Sequence, residues 1–140
     1  MPHTAETIRV SAAFIIDDAG RLLVVRKRGT TVFMQPGGKP ERGESPAQTL
    51  VRELHEELGV IVHVDELESL GSFSAGAANE AGAIVVADMF RVTLRNAVQA
   101  AAEIEEVRWM LPEELDSERV APLITQHMLA LMPPRGDAER

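Results

Sequence analysis

The chain has 140 residues, 45% apolar and 26% charged, with no cysteine and a net charge of −8. That length suits one domain and that composition a globular one, which excludes a disordered chain, disulfide cross-links and thiolate metal sites. The acidic balance argues against nucleic acid as a partner, and the N-terminus has no secretory pattern and no apolar run near the ~20 residues of a membrane span, so a soluble cytoplasmic protein is expected.

In chain order, Ile8–Ile16 and Arg21–Lys27 read as β-branched, apolar strands joined by Asp17-Asp18-Ala19-Gly20, a hairpin whose Gly20 supplies positive φ. Arg26-Lys27-Arg28 is the one basic block. It reads either as the wet end of a strand or as a grip on phosphate, with Arg26 the candidate contact. Thr30–Met34 reads as a short strand broken by Pro36-Gly37-Gly38, and a helix follows from Pro46 to about Leu58. Further strands are expected at Val60–Val64, Leu67–Phe73, Ala83–Leu94 and Glu105–Leu111, and a second helix at Pro122–Met132 with a frayed tail beyond. Ser74–Gly82 is small, polar and glycine-rich, and reads as a mobile loop, either flanking a pocket with Asn79 or Glu80 offering polar contacts or serving as a passive hairpin connection. Strands and helices are mixed, so the expected class is α+β, a sheet sandwiched between helices.

The helix at 46–58 carries the chemistry. Ser45 is a good N-cap, Pro46 suits the first turn, Gln48 completes a capping box and Gly59 suits a left-handed C-terminal position. At about 100° per residue, Ala47, Leu50, Val51, Leu54 and Leu58 form one apolar stripe, and Glu53, Glu56 and Glu57 share the flank beside it. A solvated acidic face accounts for three such glutamates taken alone. Their mutual repulsion is nevertheless unfavourable, and Arg52 and His55 lie to the other side. A hard divalent cation, Mg²⁺ or Mn²⁺, is the natural compensating partner for clustered carboxylates. It would also let an acidic protein approach a polyanionic substrate. Just upstream, Gly37 and Gly38 permit close backbone approach to a ligand, and Glu44 precedes the cap.

Gly38, five residues, Glu44, seven residues, Arg52-Glu53-Leu54, one residue, Glu56-Glu57, one residue, Gly59-Val60 resembles the Nudix box at every fixed position. The likeness continues through Pro36-Gly37-Gly38, through Glu103–Trp109 as a late strand and through Pro112–Leu115 as the turn after it, although Phe33 stands where Trp is frequent. The resemblance implies the Nudix fold, a mixed β-sheet between helices, and hydrolysis of a nucleoside diphosphate linked to another moiety. It implies that Glu53, Glu56, Glu57 and the Gly38 carbonyl bind the cations. Glu53 would also act on the attacking water, Arg52 would orient the cluster and Glu44 would support the loop. Glu103, ahead of Glu106, is the candidate additional acid, with a salt-bridged edge residue as its plain alternative.

For substrate, the chain has no Tyr and no Pro in Leu70–Gly76, which removes markers of dinucleoside polyphosphate and ADP-ribose hydrolases. Its charge disfavours diphosphoinositol polyphosphates. A compact MutT-like nucleoside triphosphate pyrophosphohydrolase remains, binding a small nucleotide-like molecule, with Phe33 and Lys39 as candidate substrate contacts. A nucleotide-sugar pyrophosphatase and a catalytically silent nucleotide-sensing module are the alternatives, and a homodimer is left open.

Overall fold

Alternation along the strands divides this protein into two apolar layers with a sheet between them. The computed structural model describes residues 6–78 and 81–133. Its strands are β1 (Thr7–Phe14), β2 (Leu22–Lys27), β3 (Gly37–Gly38), β4 (Glu68–Gly76), β5 (Ile84–Arg91) and β6 (Ile104–Met110). They form a four-stranded mixed sheet in the order β3-β1-β5-β4 and a two-stranded antiparallel sheet of β2 and β6. Ala12, Phe14, Leu22 and Val24 face one core. Ala13, Ile15, Leu23 and Val25 face the other, as a pleat of period two requires.

Helix α1 (Pro46–Leu58) closes the second layer through Leu50, Leu54 and Leu58, all essentially fully buried. Burial of each such side chain contributes roughly 2 kcal/mol. Both hydrogen bonds of the capping box are formed, Gln48 N–H to Ser45 Oγ and Ser45 N–H to Gln48 Oε1, and Gly59 ends the helix at φ 70°. On the opposite layer, a π-helical segment (Ile124–Met128) runs into a short helix α2 (Leu129–Leu131), burying Leu123, Ile124 and Met128. The α+β sandwich is therefore present, and no helix among the described residues is long and apolar enough to cross a membrane.

Several elements depart from the sequence reading. The turn at Asp17–Gly20 forms, with Gly20 at φ 78° and Leu23 N–H donating to Ile15, but β1 and β2 then diverge into different sheets. Each strand finds longer pairings elsewhere, β1 with β5 in parallel and β2 with β6. Thr30–Met34 makes only isolated bridges, from Met34 to Val25 and from Phe33 to Val120. Gly37-Gly38, expected to break a strand, is itself a strand paired with Ser11 and Ala12. Glycine permits this because a Cβ on Gly37, at φ 140°, would collide with the Ser11 carbonyl oxygen. Residues 60–63 are irregular and lead into a 3₁₀ turn at Val64–Glu66, so no strand forms there. β4 runs on to Gly76, so only the later part of the expected 74–82 loop is a connection, and Asn79 and Glu80 lie outside the described residues. The π-helical segment occupies the middle of the expected second helix, and the tail beyond Pro133 is outside the described residues.

Gly37 and Gly20 both hold positive φ, but nothing lies within 4 Å of a Cβ on Gly20. Gly20→Ala should therefore cost about 1 kcal/mol, the backbone term alone. Gly37→Ala should cost about 3 kcal/mol or more, because the collision with β1 adds to it. Urea denaturation of the two variants checks the difference.

Candidate active site

The sequence places three glutamates on one flank of α1, and the fold sets that flank against β3 on one side and the start of β6 on the other. Between them opens a cavity of about 590 Å³. Its lining is charged in part, with Lys27, Lys39, Glu41, Arg52, Glu53, Glu56 and Glu103, and aliphatic in part, with Ile8, Val10, Met34, Ala77 and Val85, and it includes the Gly37-Gly38 backbone.

Glu57 is the most buried member of the cluster, 2% exposed, and its Oε1 accepts the Gly37 N–H at 3.1 Å. Burial pushes its carboxyl up to about 8, against the pull of that hydrogen bond and of Lys27. Glu53 is also raised, first by burial, with Arg52 pulling the other way and Glu56 adding repulsion. Its carboxylate fills the space a Cβ on Gly38 would take, so the residue at 38 must be glycine for carboxylate and backbone to meet. Glu56 is about half exposed.

Arg52 joins the loop to the helix. Its Nε and Nη2 donate to Glu44 at 2.7 and 2.9 Å, Nη2 donates to the Lys39 carbonyl at 3.0 Å, and Nη1 reaches Glu53 and Glu56 at 3.4 and 3.3 Å. The fork holds the Glu44 carboxyl down at about 2 and raises the guanidinium further. Thr49 Oγ1 also donates to Glu44 at 3.1 Å, so the loop before α1 is fixed at three points.

Glu103 arrives from the far end of the chain. Gln99 and Ala101 donate their N–H groups to the Leu58 and Glu57 carbonyls, tying this segment to the end of α1. Ala102 then takes a left-handed φ of 54°, and the Glu103 carbonyl accepts the Arg28 N–H. The Glu103 side chain lines the cavity and pairs with Lys27 at 3.4 Å. Glu106 faces away, paired with Arg26 and Arg108, which lower its carboxyl.

Of the other substrate candidates, Lys39 lines the cavity and Arg26 does not, since Arg26 is held by Glu106 and the Thr30 carbonyl. Phe33 is 7% exposed in the core beneath the Arg108 guanidinium, outside the cavity lining. Of the Arg26-Lys27-Arg28 block, Lys27 is the residue that lines the cavity. Its signal was present in the sequence as strand alternation: Leu23 and Val25 face α1, so Lys27 shares their side and Arg26 does not. Gln35 and Ser11, also in the lining, carry no comparable signal.

Among the described residues no group of three or more Asp, Glu or His side chains is gathered as a cation cage, since Arg52 engages two of the three glutamates. The donor set still fits a hard cation. Carboxylates and the backbone beside Glu53 line one side of an open cavity, and Mg²⁺ binds through few protein oxygens while keeping water and phosphate ligands. Glu57, a carboxyl buried without a cationic contact, is the group such an ion would compensate.

A family model described as "NUDIX domain" matches residues 6–131. A MutT-like protein of Streptomyces ambofaciens is 32% identical over 84% of this chain and 72% of its own length. An 8-oxo-dGTP diphosphatase of Haemophilus influenzae is 38% identical over 43% of this chain and 47% of its own length. The solution structure of the E. coli ORF135 protein superposes with a TM-score of 0.69 at 30% identity, covering 91% of this chain and 89% of that one.

Because the folded Glu57 carboxyl holds its proton to about 8 against an ordinary 4.5, its contribution to stability is whole below about 4.5 and is lost as pH rises through 8. Urea denaturation in chelator between pH 5 and 9 should show a decline on the order of a few kcal/mol. Glu57→Gln, which keeps an acceptor for Gly37 N–H but cannot ionise, should flatten it.

Proposed function

The chain belongs to the NUDIX family as a Nudix hydrolase, and from that premise we propose that it is a Mg²⁺- or Mn²⁺-dependent nucleoside triphosphate pyrophosphohydrolase of MutT-like type. The observation that carries this reading is the mixed lining of the cavity. The Glu53 and Glu56 carboxylates line it together with the Gly37-Gly38 backbone and with aliphatic side chains, and its volume of about 590 Å³ has room for a nucleotide. The name of the Haemophilus relative, an 8-oxo-dGTP diphosphatase, supports a nucleoside triphosphate, oxidised ones included, and that of the Streptomyces relative supports the MutT-like type.

Glu53, Glu56, Glu57 and the Gly38 carbonyl would hold the cation. When bound, it neutralises phosphate charge and lowers the pKa of water. The chain's own groups do the rest. Lys27 and Lys39 meet phosphate oxygens. Glu53, held above the usual carboxylate range, accepts the proton of the attacking water as its oxygen bonds to phosphorus. The phosphoanhydride bond between the α- and β-phosphates breaks, and the leaving group, pyrophosphate for attack at the α-phosphorus or nucleoside monophosphate for attack at the β-phosphorus, takes the electron pair, giving a nucleoside monophosphate and pyrophosphate. Arg52 fixes the loop and helix relative to each other, and Glu103 is the additional acid that the cavity receives from outside α1 and the loop before it.

A pyrophosphate-release screen of nucleoside triphosphates and nucleotide sugars with Mg²⁺ and with Mn²⁺ tests the reading. Turnover should vanish in excess chelator. Undiminished activity in protein verified as metal-free would refute it.

Glu53→Gln and Glu57→Gln should each lower kcat by ~10²-fold or more with far-ultraviolet dichroism unchanged. Near-normal turnover in both would move the metal site off α1.

A further inference from the structure

The cavity lining contains one uncharged polar side chain with no assigned task. Gln35 is 8% exposed, lines the cavity, and has an amide oxygen with no hydrogen-bond partner. It is the one such buried side-chain atom among the described residues. A buried acceptor left unpaired is unfavourable, so its retention asks for a group that completes it. Ser11, the other uncharged polar side chain of the lining, already donates its hydroxyl to the Pro46 carbonyl at 2.7 Å.

Resting on the reading of this cavity as a nucleotide site, we propose that Gln35 is the specificity-determining residue, pairing its side-chain amide with the hydrogen-bonding edge of the nucleobase. Three observations converge on it. No aromatic side chain lines the cavity among the described residues, so stacking on a ring is not the source of selectivity. The walls offered by Val10, Met34 and Val85 are aliphatic. Apolar walls discriminate weakly between similar ligands, whereas a buried polar group that a wrong ligand leaves unpaired discriminates strongly. Finally, Gln35 immediately precedes the Pro36-Gly37-Gly38 segment, which Ala13 N–H to Pro36 O and Gly37 N–H to Glu57 hold rigidly. One short stretch of backbone thus sets the distance between the base-reading amide and the phosphate end.

An amide offers an acceptor beside a donor, so it complements a base edge offering a donor beside an acceptor. A carboxylate in its place offers two acceptors, which suits guanine, whose N1–H and N2–H₂ are adjacent donors. kcat/KM for ATP, GTP, CTP and UTP is to be measured for the parent, Gln35→Leu and Gln35→Glu, together with ligand-free melting temperatures. Gln35→Leu should lower kcat/KM for the preferred base about tenfold, mainly through KM, and narrow the spread among bases. Its melting temperature should hold or rise, since an unpaired buried oxygen has been removed. Gln35→Glu should raise GTP relative to the other three by about tenfold. Unchanged ratios in both variants, or a uniform loss across all four bases with a lowered melting temperature, would overturn the role of Gln35 while leaving the hydrolase reading intact. A parent that hydrolyses no nucleoside triphosphate with either cation would instead remove that reading, and this inference with it.

Discussion

The contact between the Gly37 amide and the buried Glu57 carboxylate is the constraint on which the rest of the site depends. It fastens β3, two residues long, to α1, and Gly37 is pressed at the same time against the Ser11 carbonyl of β1. With that segment fixed on both sides, Gly38 meets Glu53, Lys39 presents its carbonyl to Arg52, and Gln35 lines the cavity. A carboxylate is a poor choice for a purely structural pin, because burial disfavours its charged form. Its retention here fits a position whose charge is wanted when a cation is present.

Arg52 plays the complementary part on the solvent side. A single guanidinium contacts Glu44, Glu53, Glu56 and the Lys39 carbonyl, so acidic groups that would repel one another share one positive plane. Lysine could not reproduce this, since it lacks the fork that reaches both the loop and the helix. The arrangement keeps the flank of α1 ordered without a cation, and it leaves Glu53 and Glu56 on the cavity wall.

Much of α1 was legible from Ser45, Pro46, Gln48 and Gly59 because capping is local chemistry, and the predicted helix limits match the structure. The glutamates were legible because 3.6-residue spacing fixes angles before any tertiary contact forms. What could not be read was pairing. β1 and β2 look like hairpin partners, yet each gains more from a strand far along the chain. Gly37-Gly38 looks like a break because its strand character exists only against β1. Arg26 and Lys27 were separable by alternation, since Leu23 and Val25 already declare which side faces α1. Gln35 was not, because a polar residue between Met34 and Pro36 declares nothing about burial. Phe33 looked like a contact because it is near the loop in sequence, but its ring turns into the opposite layer.

The parallel union of β1 with β5 bears on how the molecule is made. Thr7 lies across from Ile84 and Phe14 from Arg91, so β1 leaves the ribosome long before its central partner exists. Such long-range pairing slows folding, because loop closure precedes any reward from contact. During that wait the apolar residues of β1 are open to other nascent chains. The completed half of the Nudix site, α1 with its capped ends, can be helical early. Its flank stays without an opposite wall until Glu103 has been synthesised, and a ribosome-stalled fragment ending before β5 would carry the motif without the pocket.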